Sequence, residues 1–251
     1  MTTKGMLYDS TLCVGCEACV HACQERWGFK QTDSPTQFSD QNFTYLVEKQ
    51  GHYVRRMCMH CNEPTCASVC PVGAITKTPL GPVIYDGEKC MGCRYCLMAC
   101  PFGVPAYEWE KPRPRMRKCS MCYDRVSKGG ATACSEACPT GATKFGDRDA
   151  LFEEARKRIL AEPDKYRDLV FGERVVGGTS VLFISHADLI GMGFPAGLPL
   201  EPLPDLTHRV LSKIPGVVVI GGVFLYGMYW LTQRKNELAR EEQQQGKEGA
   251  S

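Results

Sequence analysis

The sequence is short of the features that mark several common classes of protein. Positive and negative charges nearly balance, with 30 Lys and Arg against 28 Asp and Glu. A net charge of +2 therefore does not favour a nucleic-acid binder that works by bulk charge. No Ser-His-Asp set, phosphate-binding loop or zincin motif is present. We predict no catalytic residue in this chain and no nucleic-acid partner.

A secretory signal peptide is not predicted either. The chain begins MTTKGMLYDSTLC, without a basic n-region or an apolar h-region. We therefore expect that the protein either stays in the cytoplasm or is exported while bound to a partner that carries an export signal.

Long apolar runs are lacking except for one segment near the C-terminus. Residues 214–231 (IPGVVVIGGVFLYGMYWL) carry no charge, and at ~1.5 Å per residue they would span about 27 Å, enough to cross a membrane. Tyr226, Tyr229 and Trp230 resemble an aromatic belt, and the glycines favour helix packing in lipid over a buried helix of a soluble protein. We predict a transmembrane helix within residues 209–235.

The flanking charges give this segment a small bias in orientation. Two basic residues precede it and three follow, namely Arg209 and Lys213, then Arg234, Lys235 and Arg240. The positive-inside rule then places the tail, residues 236–251, in the cytoplasm and residues 1–208 in the periplasm. The charged, Gln-rich composition of the tail predicts disorder.

Cysteine, by contrast, is in clear excess, at 16 of 251 residues. The cysteines fall into four groups of four in sequence order, with none left over. We call them the first to fourth quartets: Cys13, Cys16, Cys19 and Cys23; Cys58, Cys61, Cys66 and Cys70; Cys90, Cys93, Cys96 and Cys100; and Cys119, Cys122, Cys134 and Cys138.

The spacing of the quartets points to iron–sulfur chemistry. The first and third have the pattern CxxCxxCxxxC, in which three cysteines hold one 4Fe–4S cluster and the fourth binds another. The second and fourth quartets widen one gap, to four and to eleven residues. Three quartets also continue as Cys-Pro-x-Gly, at Cys70, Cys100 and Cys138, which is an internal repeat. The pattern predicts four 4Fe–4S clusters, with all sixteen cysteines as iron ligands.

Two other uses of cysteine fit this pattern less well. Structural zinc takes two separated CxxC pairs, so a third cysteine two residues later has no role at such a site. Disulfides between cysteines this close in sequence could not all form without strain. Spacing alone leaves open whether each cluster is shared between adjacent or distant quartets.

These motifs resemble a known family, the four-cluster ferredoxin-like subunits of membrane-bound respiratory oxidoreductases. The family includes subunits of formate dehydrogenase, dimethyl sulfoxide reductase and the uptake nickel–iron hydrogenase. Residues 5–20, 57–71 and 90–101 are most similar to the hydrogenase-associated member. Residues 176–188 (VGGTSVLFISHAD), followed by a single C-terminal span, resemble both that member and the formate dehydrogenase beta subunit.

The resemblance implies that the quartets pair in a nested way. The first and fourth quartets would form one module, and the second and third the other. The four ligand sets would be Cys13, Cys16 and Cys19 with Cys138; Cys23 with Cys119, Cys122 and Cys134; Cys58, Cys61 and Cys66 with Cys100; and Cys70 with Cys90, Cys93 and Cys96.

The same resemblance implies a fold and a function. We expect an α+β protein with two ferredoxin-like dicluster modules in residues 1–146, a helix and extended docking segment in residues 147–208, and the transmembrane helix. The chain would relay electrons between a catalytic subunit, of molybdenum- or tungsten-pterin or nickel–iron type, and a membrane cytochrome b or quinone-reactive subunit. Alternatives are a subunit of a dimethyl sulfoxide or polysulfide-type reductase, a protein whose clusters are structural, and a soluble ferredoxin-like donor.

Local patterns predict a few elements outside the quartets. An insertion at residues 24–57 carries two short strands around Gly51. Residues 111–118 form a basic linker or a docking surface for an acidic partner. Further predictions are a helix at 147–161 capped by Asp147, a strand at 175–185 and extended chain over a partner at 191–206.

The five histidines carry weaker predictions. We expect His21, His52 and His60 to be packing or surface residues. His186 and His208 could lie near the membrane surface and contact a haem or quinone subunit.

Overall fold

Cysteine-rich loops interrupt the sequence so often that most helices and strands are short. The computed structural model describes residues 2–112 and 114–248, with side chains through residue 240. The chain divides into two compact units, residues 1–204 and 205–251. All sixteen cysteines lie in the first of these units.

Nine strands and eight α-helices lie in the described residues. The strands are β1 Lys4–Asp9, β2 Tyr45–Lys49, β3 His52–Arg56, β4 Ile75–Lys77, β5 Val83–Tyr85, β6 Ala106–Tyr107, β7 Met116–Arg117, β8 Thr143–Asp147 and β9 Val181–Ile184. The helices are α1 Ala18–Trp27, α2 Thr65–Ser68, α3 Tyr95–Ala99, α4 Tyr123–Val126, α5 Ala133–Glu136, α6 Arg148–Ala161, α7 Leu203–Leu211 and α8 Ile214–Glu248.

A three-stranded sheet divides the core of the first unit. β1 pairs antiparallel with β8 on one side and parallel with β9 on the other. Because side chains alternate along a strand, Met6 and Tyr8 lie on one face of β1 and Leu7 on the other. Leu7 packs in a core with α6, whereas Met6 and Tyr8 pack in a core that includes cysteines. The sheet therefore stands between α6 and the cysteine-rich core.

Residues 147–204 belong to the same compact unit as the cysteines. We predicted residues 147–208 as a separate helix and extended docking segment, but β9 pairs with β1 and α6 packs against the sheet. The physical reason is burial on both faces of β9, since Leu182 and Phe183 point to opposite faces and neither is exposed.

The helix predicted at residues 147–161 is present as α6, with Leu151, Ala155 and Ile159 buried on one face. Asp147 occupies the N-cap position, but its carboxylate accepts no hydrogen bond from the helix. It accepts instead from Lys4 Nζ at 2.5 Å, because β1 places Lys4 opposite Asp147. Asp147 is thus the N-cap residue, as predicted, but its side chain does not make the predicted capping bond to the helix.

The spacing of charges on α6 predicts two ion pairs, Glu153–Lys157 and Glu154–Arg158, and one of them is present. The pair Glu154–Arg158 forms, and Lys144 Nζ joins Glu154 at 2.6 Å. In the part of the chain whose side chains are described, no ion pair joins Glu153 and Lys157.

The strand predicted at residues 175–185 is shorter than expected. A 3-10 turn, Val175–Gly177, occupies its first part, and β9 begins only at Val181. Val176, Gly177 and Gly178 all have positive φ, which breaks the extended conformation there. Beyond β9, residues 191–202 form turns and bends and not the extended chain predicted at 191–206, and α7 begins already at Leu203. Contact of this segment with a partner stays a prediction.

The hairpin predicted around Gly51 is confirmed as β2 and β3. Tyr45 pairs with Arg56 and Lys49 with His52, so only Gln50 and Gly51 form the turn. Both have positive φ, +54° and +76°, as a type I′ turn requires.

The basic segment at residues 111–118 forms ion pairs within the chain over its described residues, and its contact with an acidic partner stays a prediction. Arg115 pairs with Glu88 at 2.7 Å, and the buried Glu108 pairs with both Lys111 and Arg117. Lys118 is buried. The sequence pattern misled because the acidic partners come from outside the segment. Arg113 lies outside the described residues.

The second unit is helical. Within Leu203–Arg240 an 18-residue window has a mean hydropathy of 1.7, and none of it is buried by other described residues. α8 continues through Glu248, well past the predicted end of the span at residue 235. The disorder predicted for residues 236–251 is therefore wrong over 236–248. Glu, Lys, Arg, Gln and Ala favour helix, and extending an existing helix avoids the cost of a new nucleus. Residues 249–251 lie outside the described part.

Two neighbours on α6 test the core behind the sheet. Ile159 is 3% exposed and Leu160 is 79% exposed. Replacing Ile159 with Ala should cost about 2–5 kcal/mol, because it removes buried methyl groups and leaves a cavity. The thermal midpoint of the detergent-solubilised chain should then fall by roughly 5–15 °C. The control, Leu160→Ala, should shift it far less, and equal effects would contradict the packing of α6 against β1 and β9.

Candidate metal centres

The four quartets share one backbone feature inside their CxxC loops. The residue before the second cysteine has a left-handed conformation in every quartet: Gly15, His60, Gly92 and Met121 have φ of +73°, +48°, +76° and +55°. Glycine adopts this conformation freely, but the other two residues are strained there. His60 and Met121 are each 1% exposed, so burial holds them in place.

The Cys-Pro-x-Gly repeat forms the same turn three times. Each glycine N–H donates to the carbonyl of the cysteine three residues before it: Gly73 to Cys70 at 3.2 Å, Gly103 to Cys100 at 3.1 Å and Gly141 to Cys138 at 3.3 Å. Proline at the second position and glycine at the fourth suit such a β-turn. The proline fixes φ, and the turn reverses the chain directly after the last cysteine of the quartet.

The reversed chain returns backbone N–H groups to the cysteine sulfur. Ala74 N–H donates to Cys70 Sγ at 3.2 Å, and Thr143 N–H donates to Cys138 Sγ at 3.4 Å. Burial raises the pKa of Cys138, but the hydrogen bonds from Thr143 and its neighbours outweigh burial, and the pKa is lowered overall. Such bonds stabilise thiolate and, at an iron–sulfur site, raise the reduction potential.

Cysteines from the first and fourth quartets meet at two cavities. One is lined by Cys13, Cys16, Cys19 and Cys138, and we call these the Cys16 group. The other is lined by Cys23, Cys119, Cys122 and Cys134, the Cys122 group. Each group takes three cysteines from one quartet and one from the other.

The second and third quartets mix in the same way. Burial raises the pKa of Cys61, and the neighbouring thiolates of Cys58, Cys100 and Cys66 raise it further. Burial likewise raises the pKa of Cys96 to about 11, with further contributions from Cys90, Cys93 and Cys70. We call these sets the Cys61 group (Cys58, Cys61, Cys66 and Cys100) and the Cys93 group (Cys70, Cys90, Cys93 and Cys96).

The chemistry of these donors suits a metal cluster. Burial raises the pKa of Cys19 to about 11 and of Cys23 and Cys66 to about 12, so the free thiols are neutral at pH 7. Iron binds thiolate, and its positive charge stabilises the negative charge that burial disfavours. Within residues 2–112 and 114–240 no three His, Cys, Asp or Glu side chains converge on a single ion. Four sulfurs spread around a cavity suit a four-iron core.

A buried polar atom beside these donors also lacks a partner. His60 Nδ1 accepts a hydrogen bond from Val83 N–H at 2.9 Å, which leaves the ring proton on Nε2. Among the described residues Nε2 is buried and has no partner. An unmet donor costs about 1–3 kcal/mol, and a sulfur atom of a cluster is one acceptor that would satisfy it.

The other histidines stand apart from the cysteine groups in different ways. His52 and His186 are exposed with their rings 5.6 Å apart, His21 is half-buried, and His208 lies in the second unit. Contact of His186 or His208 with a haem or quinone subunit stays a prediction.

The third CxxC loop offers a test of the left-handed turn. A Cβ added to Gly92 would lie 2.5 Å from the Tyr107 hydroxyl oxygen, at a φ of +76°. Gly92→Ala should therefore destabilise the loop by about 1–2 kcal/mol or more, and lower both the thermal midpoint and the iron retained per chain. In the control Gly87→Ala the nearest atom, Arg115 Nη1, lies 3.4 Å away and φ is not left-handed. The same loss in both variants would refute the strain argument.

Comparison with known proteins gives the family. Two models of 4Fe–4S dicluster domains match residues 12–74 and 49–148, a region that contains all four quartets. A protein of Nitratidesulfovibrio vulgaris is 38% identical over 95% of this chain and 69% of its own length.

Two relatives carry functional names. The hydrogenase-2 operon protein HybA of Escherichia coli O157:H7 is 37% identical over 83% of this chain and 76% of its own length. The iron–sulfur subunit of the nitrate-inducible formate dehydrogenase of Escherichia coli K12 is 34% identical over 79% of this chain and 73% of its own length. The chain therefore belongs to the family of 4Fe–4S ferredoxin-like electron-transfer subunits that includes HybA and the formate dehydrogenase iron–sulfur subunits.

Proposed function

We propose that this chain is the electron-transfer subunit of a membrane-bound respiratory oxidoreductase. It relays electrons through four 4Fe–4S clusters between a catalytic subunit and a membrane cytochrome b or quinone-reactive subunit. The observation that carries the proposal is the gathering of sixteen cysteines into four groups of four. A 4Fe–4S cluster supplies one-electron transfer, and the chain itself needs no catalytic residue for that role.

The proposed ligands follow the four groups. Thiolates of the Cys16, Cys122, Cys61 and Cys93 groups each hold one cluster, and the backbone N–H groups behind Cys70 and Cys138 donate to their sulfurs. The sheet side chains Met6 and Tyr8 and the buried Met121 pack in the same core and keep water away from these sulfurs. This arrangement is the nested pairing, and it supports two dicluster modules. The mostly antiparallel pairing of the described strands supports an α+β class.

Electrostatic neighbours between the groups support a linear relay. Besides the effect of burial, four cysteines have their pKa raised by a cysteine of another group: Cys19 by Cys134, Cys23 by Cys19, Cys119 by Cys58, and Cys66 by Cys96. The groups therefore follow one another in the order Cys16, Cys122, Cys61, Cys93.

Both ends of this line reach the protein surface. Among the described cysteines Cys16 and Cys93 are the exposed ones, and they belong to the two terminal groups. A relay needs access for one partner at each end, whereas clusters that only stabilise the fold would gain nothing from exposure.

A membrane anchor and two partners complete the proposal. The apolar window within Leu203–Arg240 is long enough to cross a membrane, and the flanking charges favour a periplasmic cluster domain that is exported with its partner. Relatives named for hydrogenase-2 and for formate dehydrogenase make a nickel–iron or a pterin enzyme the proposed catalytic subunit.

Elemental analysis of the native complex separates the two catalytic partners. We expect the chain to leave the membrane only with detergent, together with either molybdenum or tungsten, for a formate dehydrogenase or related pterin enzyme, or nickel, for a hydrogenase. Release of the chain by a salt or carbonate wash would contradict the anchor. A complex with none of the three metals would contradict both partners.

Double cysteine variants test the nested pairing. The isolated chain should hold about sixteen irons, from four clusters of four. Cys23→Ala with Cys122→Ala removes two ligands of one cluster in the nested scheme, so about four irons should be lost. Cys23→Ala with Cys61→Ala removes ligands of two clusters, so about eight should be lost.

A loss of about eight irons in the Cys23/Cys122 variant and of about four in the Cys23/Cys61 variant would establish pairing of adjacent quartets. Reductive titration of the unmodified chain, followed by electron paramagnetic resonance, provides the control on function. All clusters should reduce within the range of respiratory donors and quinones, and clusters that resist reduction there would leave only a structural role.

A further inference from the structure

The largest fully buried side chain of the protein is a cation, Arg55 on β3, which is 1% exposed. Its Nε donates to Thr44 Oγ1 at 2.7 Å and its Nη1 lies 3.4 Å from Thr143 Oγ1. Both partners are neutral hydroxyls. No carboxylate among the described side chains forms an ion pair with Arg55. A buried guanidinium is costly unless negative charge lies nearby.

Among the described residues, the negative charge that would balance Arg55 comes from the cysteine groups. Arg55 lines the cavity of the Cys122 group, and the cysteine sulfurs that interact most strongly with it are Cys134, Cys19 and Cys23. Cys134 and Cys23 belong to the Cys122 group, whereas Cys19 belongs to the Cys16 group. The Thr143 hydroxyl, 3.4 Å from Arg55 Nη1, also lines the cavity of the Cys16 group, so one guanidinium lies between two neighbouring groups.

We propose that Arg55 is the shared counter-ion of the clusters in the Cys16 and Cys122 groups and raises the midpoint potential of both. This inference rests on the proposed function. A 4Fe–4S cluster with four thiolates carries a charge of −2 when oxidised and −3 when reduced. A fixed positive charge stabilises the reduced form more, because the interaction grows with the negative charge.

Arginine suits this role better than other cations. Its guanidinium stays protonated, so the potential would not follow the titration of this side chain. It also carries five N–H donors in a rigid plane, and the two threonines take only two of them. The others remain for sulfur, and Cys134 is the cysteine that interacts most strongly with Arg55.

Redox titration of the full-length chain in detergent tests the proposal, with electron paramagnetic resonance and iron content as readouts. Arg55→Met removes the charge and keeps an unbranched side chain of similar reach. It should keep about sixteen irons and lower the midpoint potentials of two of the four clusters. Arg55→Lys keeps the charge and should leave all four near their original values.

A matched control removes a cation from the other side of the sheet. Arg156 lies on α6 and already pairs with Asp168 and Glu173, so Arg156→Met should leave every potential unchanged. An unchanged titration of Arg55→Met, or shifts of the same size in Arg55→Lys, would overturn the proposal.

A variant that loses iron still gives a result. Should Arg55→Met bind fewer clusters, Arg55→Gln is titrated beside Arg55→Lys. Lowered potentials or lost iron in the neutral variant alone would support a counter-ion, whereas equal loss in the lysine variant would show that shape rather than charge matters. Failure of the unmodified chain to bind iron would instead count against the proposed function itself.

Discussion

Burial of cysteine sulfur is the constraint on which the rest of the structure depends. Burial keeps the thiol of Cys23 neutral, with its pKa raised to about 12, so negative charge can persist there only with positive charge close by. Iron supplies most of that positive charge, so metal binding is coupled to folding. The local elements are too small to fold by themselves, since β6 has two residues and β4 has three. Metal binding and tertiary packing together must hold these short pieces in place.

The same constraint explains where regular structure is found. β1 runs through the middle of the first unit, with Leu7 facing α6 and Tyr8 facing the cysteine-rich core. Helix α6 and strand β9 lie late in the sequence, yet β9 completes the three-stranded sheet and α6 packs against it. Val181 and Phe183, which lie beyond the last cysteine, thus pack in the same core as the cysteines.

Sequence patterns predicted the features that depend on local chemistry. The quartets, the Gln50–Gly51 turn and the buried face of α6 each follow from the spacing of residue types along a short stretch. Features that depend on distant partners were missed: Asp147 bonds Lys4 across the sheet, and Arg117 pairs with Glu108. Arg55 carries a weak signal, a cation directly after the apolar Val54 in a five-residue strand, but its burial could not be read from charge alone.

The near-zero net charge of the chain conceals how its charges are distributed. Four clusters would move the formal charge from +2 to about −6, and that negative charge lies inside the protein. Three buried cations lie with it: Arg55 faces the Cys16 and Cys122 groups, Lys118 interacts with Cys66, and Arg56 interacts with Cys100. Lys118 Nζ donates to the carbonyls of Val83 and Cys119, at 2.5 and 2.8 Å, and not to a carboxylate. Cations without acidic partners would be a defect in an ordinary core, and beside buried thiolates they provide the compensating charge.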